Sequence, residues 1–433
     1  MISFAIILSI AILALLFAIS IRSISWANMQ FSDGALLGCA FFIVIPLTII
    51  VIEGSFSGGI LRIPTYVPTV DTAVTANLIA GAGIVVAFYW LTCVMYAGRL
   101  KVSRGWREFN RFDVLLFLGL YAALAVASFM LSGRAKGGHW MTAMEQAFAA
   151  DTRFIIVANF SNVFRAAAFG LLIYATSRSI ISKTQAVAIG GALALFDTVV
   201  TFNRITLAYW AVSSMIILRQ YFLAAIPAVV ISAPIASYAL RFWSTFRGLA
   251  LNDGFTLSGI NKAFLLSAGA HSDAQSEIGS ILNSLFEASN LLVFSWIVKA
   301  MPESFSPLWG ETMIGRPLTV FVPSTLWPDK PAVFGTRLGD QIQGVHGLSL
   351  NSTLIGECYA NFYFFWPFAL LAALMLMDAC FRLLSTRSSA YGFLGAMLAF
   401  ACWRFDYSFA AISLVALVSF EFLRNVIGSR GKR

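Results

Sequence analysis

The sequence predicts an all-α polytopic membrane protein that crosses the bilayer about eleven times and carries one large loop on its outer face. The first reason is composition: of 433 residues, 59% are hydrophobic and only 11% are charged. A soluble domain carries roughly 25% charged residues, so most of this surface is expected to meet lipid. The other two reasons are the lengths of the apolar runs and the distribution of basic residues between them.

About eleven apolar runs are long enough, or nearly so, to cross a hydrocarbon core of ~30 Å at a rise of ~1.5 Å per residue. The predicted spans are residues 3–21, 34–52, 75–97, 112–131, 154–175, 186–202, 205–218, 220–240, 351–377, 389–405 and 407–423. The first run has no basic residue before it and no clear cleavage site after it, so we expect a retained helix. The seventh run is short for a span, which leaves the helix count in residues 186–240 open by one.

Basic residues predict the orientation of these spans. The loop after the third span, GRLKVSRGWREFNR, is strongly basic and contains one acidic residue, Glu108. Positive loops stay in the cytoplasm, so the N-terminus is expected outside and the C-terminus, with its basic tail RNVIGSRGKR, inside. The formal net charge of +9 is then explained by topology, and no nucleic-acid partner is expected.

The order of the spans divides the chain into three regions. Residues 1–240 are expected to form a bundle of about eight helices, residues 241–350 an outer loop, and residues 351–433 about three further helices and a cytoplasmic tail. The loop is too long to be a simple connection. Within it, residues 278–300 have apolar side chains at helical spacing, which predicts an amphipathic interfacial helix, with a twelfth span as the alternative.

Isolated arginines collect on the outer side of this topology, where the positive-inside rule expects few of them. They are Arg204, Arg241, Arg247, Arg316, Arg337 and Arg404. A guanidinium group offers a planar fork of donors that suits phosphate oxygens, so a ring of arginines would hold the diphosphate headgroup of a lipid. The alternative is that each arginine only reaches the lipid headgroup layer.

Two ionisable residues, Arg165 and Asp197, fall inside the fifth and sixth predicted spans. Charged groups at that depth are costly unless they are paired. We therefore expect an ion pair between them, with a proton relay in a transporter as the alternative.

Two residues near the ninth span, His346 and Glu357, have side chains that can accept a proton from an attacking hydroxyl group. Either one is a candidate general base. The alternatives are a histidine exposed to water and a glutamate paired with one of the outer arginines.

A proline-rich string, VPSTLWPDKP at residues 322–331, lies in the outer loop. Its prolines exclude a regular helix, so the segment is expected to be rigid and irregular. It is followed by GECYANF at residues 356–362. With an arginine between two mid-chain helices and a large outer loop, this layout resembles the oligosaccharide repeat-unit polymerases (the Wzy-type, or O-antigen polymerase, family). The matching residues are Arg204, Gly310, Pro323, Leu326, Trp327, Pro328, Lys330, Pro331, Gly356, Glu357, Tyr359, Asn361 and Phe362.

The resemblance implies a glycosyltransferase of the bacterial inner membrane, with a glycosyltransferase C-like fold. Such an enzyme joins undecaprenyl-pyrophosphate-linked repeats into a surface polysaccharide at the periplasmic face. It implies catalytic roles for Glu357 or His346. The candidate substrate-binding residues, taken from the resemblance and from the outer arginines, are Arg204, Arg241, Arg316, Trp327, Lys330, Arg337, Tyr359 and Asn361.

The chain departs from the family pattern at two places. Members often carry arginine after the first proline of the loop string, where this chain has Ser324, so the pyrophosphate role shifts toward Arg316 or Arg337. The second string usually continues with glycines, whereas here it reads NFYFFWP, which leaves the helix geometry after Asn361 open.

The resemblance implies a metal-independent enzyme without a cofactor, and the sequence agrees, because the outer side has no Asp-x-Asp motif and no histidine cluster. The expected partners are a lipid-linked oligosaccharide and membrane lipids, and a chain-length regulator is left open as a further one. Two alternative functions remain. An O-antigen ligase would share the fold and the lipid donor and would centre on a histidine such as His346, whereas a polysaccharide flippase would need a polar path across many helices.

Overall fold

A computed structural model describes residues 4–48, 72–97, 108–131, 152–201, 205–221, 256–269, 289–320, 329–343 and 350–430, together with residues 238, 242–243, 245–246, 248–249, 322 and 326–327. All regular secondary structure in these ranges is helical, which confirms the predicted all-α class. In chain order the helices are α1 (Phe4–Arg22), α2 (Phe31–Cys39), α3 (Thr72–Ala97), α4 (Arg111–Leu131), α5 (Thr152–Ser177), α6 (Lys183–Thr201), α7 (Ile205–Ile217), α8 (Leu257–Gly269), α9 (Ser289–Ala300), α10 (Arg316–Thr319), α11 (Phe334–Gln343), α12 (Thr353–Phe362), α13 (Trp366–Ser385), α14 (Ala390–Cys402) and α15 (Ser408–Arg430).

Packing divides the chain into two compact units. The first consists of Met1–Asp113 and Leu282–Arg433, and the second of Val114–Ile281. This division follows packing and not membrane topology, so the three regions expected from the order of the spans stay a prediction. The first unit contains most of the described residues of the candidate site.

Six described segments are long and apolar enough to cross a membrane. They are Phe31–Thr48, Val74–Tyr96, Arg111–Leu131, Ile156–Ser177, Thr353–Ser385 and Ser408–Ile427. The protein therefore has the helices of a membrane protein, as its composition predicts. Helices also occupy the described residues of the other predicted spans, apart from the eighth, of which only residues 220, 221 and 238 are described. The total of eleven spans and the orientation of the termini stay predictions.

The predicted span at residues 351–377 is not one helix. It consists of α12 and α13, separated by a 3₁₀ turn at Tyr363–Phe365. Tyr363 has a φ of 45°, which is unfavourable for a residue with a side chain, and Pro367 begins a helix more readily than it continues one. The break separates α12, which is buried from Thr353 to Asn361, from a stretch with exposed phenylalanines.

The centre of the first unit is α14, all of whose residues are buried. Its partner α2 carries Gly34 and Gly38 one helical turn apart, on the side that faces α14. A Cβ added to Gly34 would overlap the backbone carbonyl of Ala396, and one added to Gly38 would overlap the Trp403 side chain. The Trp403 indole also donates a hydrogen bond to the carbonyl of Ala35, at 2.8 Å. The two glycines thus serve close packing between helices of one chain.

The predicted interfacial helix at residues 278–300 is α9 in its described part, and that part is buried. Leu291, Phe294 and Ile297 have almost no exposed surface, and the helix packs on α12 and α3. Of its described side chains only that of Lys299 is exposed. The expectation of an amphipathic surface helix is therefore wrong for this part of the segment, because a helix that is apolar on nearly every side is stabilised by burial.

In the second unit, α5, α6 and α7 pack against one another around the predicted ion pair. Nε of Arg165 lies 2.7 Å from Oδ2 of Asp197, and both side chains are buried. The guanidinium also donates to Oδ1 of Asp197 at 3.1 Å, and Thr206 donates its hydroxyl to the same carboxylate. This confirms the expected pair, in which both carboxylate oxygens of Asp197 have partners.

The contact between α2 and α14 can be tested with one methyl group. Gly34→Ala places its Cβ against backbone that cannot move aside, so we expect a loss of stability of about 1–3 kcal/mol or more. Gly119→Ala is the matched control, because a Cβ there meets no atom within 4 Å. The control should be neutral or slightly stabilising, since alanine favours helices. Thermal unfolding of the purified protein in detergent measures both variants, and equal melting temperatures would contradict the close contact.

The pair in the second unit can be tested with a double-mutant cycle. Arg165→Met leaves the Asp197 carboxylate buried without its cation, and we expect a loss of about 3–5 kcal/mol. Adding Asp197→Leu removes the stranded charge, so the double variant should melt closer to the wild type. If the double variant folds well but no longer replaces the wild-type protein in cells, the result would instead favour the proton relay.

Candidate functional site

Polar residues from four separate stretches of the first unit meet beside α12. We call this group the polar junction and define it by its members, which are Thr312, Arg316, Lys330, Glu357, Asn361 and Asp406. Glu357 and Asn361 lie on α12, Thr312 and Arg316 on the helical turns before it in the chain, and Asp406 in the short connection between α14 and α15.

The amide of Asn361 holds the junction together. Its Nδ2 donates to the hydroxyl of Thr312 and to the carbonyl of Glu357, both at 2.8 Å, and its Oδ1 accepts the backbone N–H of Thr312 at 3.3 Å. The backbone adds a bond from the N–H of Leu308 to the carbonyl of Ala360, at 2.9 Å. Asn361 is fully buried, so the structure gives it a role in positioning rather than the predicted contact with substrate.

A left-handed turn brings residues 308–315 onto α12. Trp309 and Gly310 have φ values of 48° and 87°. The second of these angles suits glycine, and a Cβ at Gly310 would also crowd Ile314 and Phe362. The sequence marks this turn only through Gly310.

The carboxyl group of Glu357 is enclosed by the junction. The residue is 1% exposed, and its Oε2 accepts the backbone N–H of Tyr407 at 2.6 Å. The side chain of Thr312 adds a second hydrogen bond to this carboxyl group. A buried carboxyl group that has so few hydrogen-bond partners is expensive, which makes it a candidate for function and not only for packing.

The second carboxyl group, that of Asp406, was not among the sequence candidates. Its Oδ2 accepts the backbone N–H of Gly335 at 3.3 Å, and its charge interacts with that of Glu357. Burial raises the pKa of Asp406 to about 6, although the Gly335 N–H and the Arg316 guanidinium oppose this shift. The only sequence signal was an acidic residue in the short string WRFDYS between two apolar runs.

Two cations complete the junction. Arg316 is 8% exposed, and its Nη1 donates to the carbonyl of Pro331 at 3.1 Å, while its Nε has no partner among the described residues. Burial lowers the pKa of Arg316, and the pKa of Lys330 is lowered by burial and then by the nearby charge of Arg316. Lys330 donates its Nζ to the carbonyl of Val322 at 2.7 Å, which closes the described part of the proline-rich string into a turn. Both cations donate hydrogen bonds to carbonyl oxygens, and the described anion whose charge acts on Arg316 is Asp406, so the pair of cations also favours an anionic ligand.

Arg337 lies on α11, which the sequence did not predict. Its Nη1 is 2.6 Å from Oε2 of Glu311, and about a third of each side chain is exposed. Arg337 is therefore on the surface near the junction and is already paired. A pair with this exposure contributes little to stability, so exchange for another anion is inexpensive.

The remaining sequence candidates lie away from these bonds or outside the described residues. Trp327 is exposed in the proline-rich string, whereas Tyr359 is buried between the rings of Phe294 and Tyr363. The candidates Arg204, Arg241 and His346 lie outside the described residues. Within the described ranges, His, Cys, Asp and Glu side chains form no group of three or more that could share a metal ion.

The role of Asn361 can be tested by removing its amide. Asn361→Leu should leave the Thr312 backbone N–H without a buried partner, at a cost of about 1–3 kcal/mol. The 308–319 segment should then become more sensitive to protease, and the melting temperature should fall. Gln341→Leu, at an exposed position of α11, is the control and should change stability by less than about 0.5 kcal/mol. Equal protease patterns in both variants would show that the amide does not hold the segment.

Comparison of the chain with models of protein families, with curated proteins and with solved structures finds no match.

Proposed function

We propose that the protein is a polysaccharide polymerase of the bacterial inner membrane. It joins undecaprenyl-pyrophosphate-linked oligosaccharide units into a surface polysaccharide, such as O-antigen, capsule or exopolysaccharide, at the periplasmic face. The observation that carries the proposal is the polar junction, in which the neighbouring cations Arg316 and Lys330 stand beside two carboxyl groups. This combination suits a reaction in which a diphosphate leaves and a hydroxyl group gives up its proton.

The charges of the junction support each part of that reaction. A diphosphate is a good leaving group once its charge is neutralised, and fixed guanidinium and ammonium groups supply that neutralisation. The attacking sugar hydroxyl needs a carboxylate within reach to accept its proton. Holding both substrates beside these groups lowers the barrier further, because their relative orientation is set on binding.

The surface around the junction supports a lipid-linked substrate. Large apolar side chains are exposed along the same polar segment, on both sides of the cations, and they are Trp309, Ile314, Leu318, Leu326 and Trp327. Exposed apolar patches of this kind mark contacts with membrane or ligand. A polyprenyl chain would find an apolar surface here next to cations that suit its diphosphate.

The proposal can be tested on the surface glycans of the source bacterium. In a strain that lacks the gene, the polymerase proposal expects glycan caps of a single repeat on a gel. Bare lipid A cores would indicate the ligase alternative, and absent surface glycan with trapped lipid intermediates would indicate a flippase. Either of these two patterns would contradict the proposal.

Complementation of the same strain with variant genes tests the contribution of each arginine to polymer formation. Arg316→Ala should abolish long polymer, because the buried cation of the junction is lost, and Arg337→Ala and Arg204→Ala are expected to do the same. Glu311→Gln is the matched control for Arg337, since it breaks the ion pair but leaves the guanidinium. Polymer should survive in this control while protein levels hold in all variants. Normal polymer in an arginine variant would remove that residue from the site.

A further inference from the structure

The two carboxyl groups of the polar junction differ in their access to a substrate. Glu357 is almost wholly enclosed, and one of its oxygens is held by the Tyr407 backbone. Asp406 is half-buried as a residue and lies in the connection between α14 and α15, whereas Glu357 lies within a helix. Only one of them is therefore placed to contact a hydroxyl group that arrives from outside.

We propose, resting on the polymerase function above, that Asp406 is the catalytic base and that Glu357 is a positioning residue that acts through the backbone of Tyr407. The proposal differs from the expectation at the sequence level, which assigned the base to Glu357 or His346. It rests on two hydrogen bonds of the junction and on one electrostatic interaction. The bonds run from Tyr407 N–H to Glu357 and from Gly335 N–H to Asp406, and the interaction is that between the charges of Arg316 and Asp406.

The proposed step is a displacement at the anomeric carbon. The hydroxyl oxygen of the acceptor sugar forms a bond to that carbon, and its proton passes to the carboxylate of Asp406. The bond between the anomeric carbon and the diphosphate oxygen breaks, and the diphosphate leaves with the electron pair. Arg316 and Lys330 neutralise the charge that develops on the departing diphosphate. No electrons are exchanged with another reagent.

The surroundings of Asp406 suit a base that works near neutral pH. Its pKa of about 6 leaves it mostly ionised at pH 7 while it remains a better proton acceptor than an ordinary aspartate. The charged groups that face it are Arg316 from α10 and Glu357 from α12. On α11, Gly335 contributes a backbone N–H, and the charge of Arg337 is paired with Glu311. On its own segment, Arg404 lies over the ring of Phe405, at 5.5 Å from its centre.

Glu357 is suited to positioning because its contact is with the chain. Its Oε2 holds the N–H of the residue that follows Asp406, so it orders the backbone that carries the base. A glutamine offers a carbonyl oxygen to the same N–H and adds no charge. Glu357→Gln should therefore preserve the position of Asp406, whereas Glu357→Ala should release it.

The experiment uses the full-length protein in vesicles, with lipid-linked single repeats extracted from the deletion strain as substrate. The readout is the release of undecaprenyl pyrophosphate as a function of pH. For the wild type, the rate should fall below a pH of about 6, because the base must be unprotonated and protonation of Asp406 removes it. Asp406→Asn keeps an oxygen for the Gly335 N–H but cannot accept the proton. We therefore expect its rate to fall by a factor of about 100 or more.

Three further variants separate a base from a structural group. Asp329→Asn, at an exposed carboxylate of the same polar segment, is the control and should keep the wild-type rate. Glu357→Gln should keep at least about a third of the rate, with the acid limb of the pH profile unchanged. Asp406→Glu should restore part of the activity with a shifted acid limb, and it decides the question if Asp406→Asn does not fold.

The outcomes distinguish this inference from the proposed function. If the wild type releases undecaprenyl pyrophosphate and Asp406→Asn does so within about threefold, Asp406 is not the base and the polymerase proposal stands. An unshifted acid limb in active Asp406→Glu, or loss of the acid limb in Glu357→Gln, also overturns the assignment. If the wild type releases none at any pH while the substrate is intact, the polymerase proposal itself fails.

Discussion

The polar junction depends on one buried amide. Asn361 carries three hydrogen bonds that join the 308–319 segment to α12, and these bonds determine where the nearby charges lie. In an apolar interior a lost buried hydrogen bond costs more than the same bond on the surface, because no water replaces the partner. The same contact sets the register of Arg316, one helical turn further along the chain.

Buried charges are accommodated differently in two parts of the protein. In the second unit, Arg165 and Asp197 form an ion pair, and a threonine hydroxyl supplements the carboxylate. In the polar junction, the carboxyl of Glu357 is held by the Tyr407 N–H and by Thr312, and the Nε of Arg316 has no hydrogen-bond partner among the described residues. A direct ion pair is sufficiently explained as structure, whereas buried ionisable groups that are not paired directly are candidates for function.

Close helix packing supports the junction from behind. The glycines of α2 let it approach α14, and α14 ends at the connection that carries Asp406. Trp403, three residues before Asp406 in the chain, takes part in this packing. Its ring covers Gly38, and its indole N–H donates a hydrogen bond to the carbonyl of Ala35. The carboxylate thus follows directly after a fully buried helix, and the close packing of that helix limits its movement.

The sequence by itself determined the helical membrane class, because a shortage of charge over long apolar runs has few other solutions. It also determined the pairing of Arg165 with Asp197, since an ion in an apolar span needs a counter-ion. The expectation of an irregular backbone in the proline-rich string follows in the same way from its prolines, and the described residues of the string are not helical. Each of these features depends on local composition or on a large energetic cost, and a single sequence reveals both.

Only the tertiary structure decided which polar residues meet. Asp406 has no local pattern, and its importance comes from neighbours that are distant in the chain, Gly335 at a separation of 71 residues and the Glu357 carboxyl on α12. The burial of α9 and of Asn361, and the break between α12 and α13, likewise depend on what packs against them. Long-range contacts of this kind leave no periodic signal in the chain, so they became visible only when its segments were brought together in space.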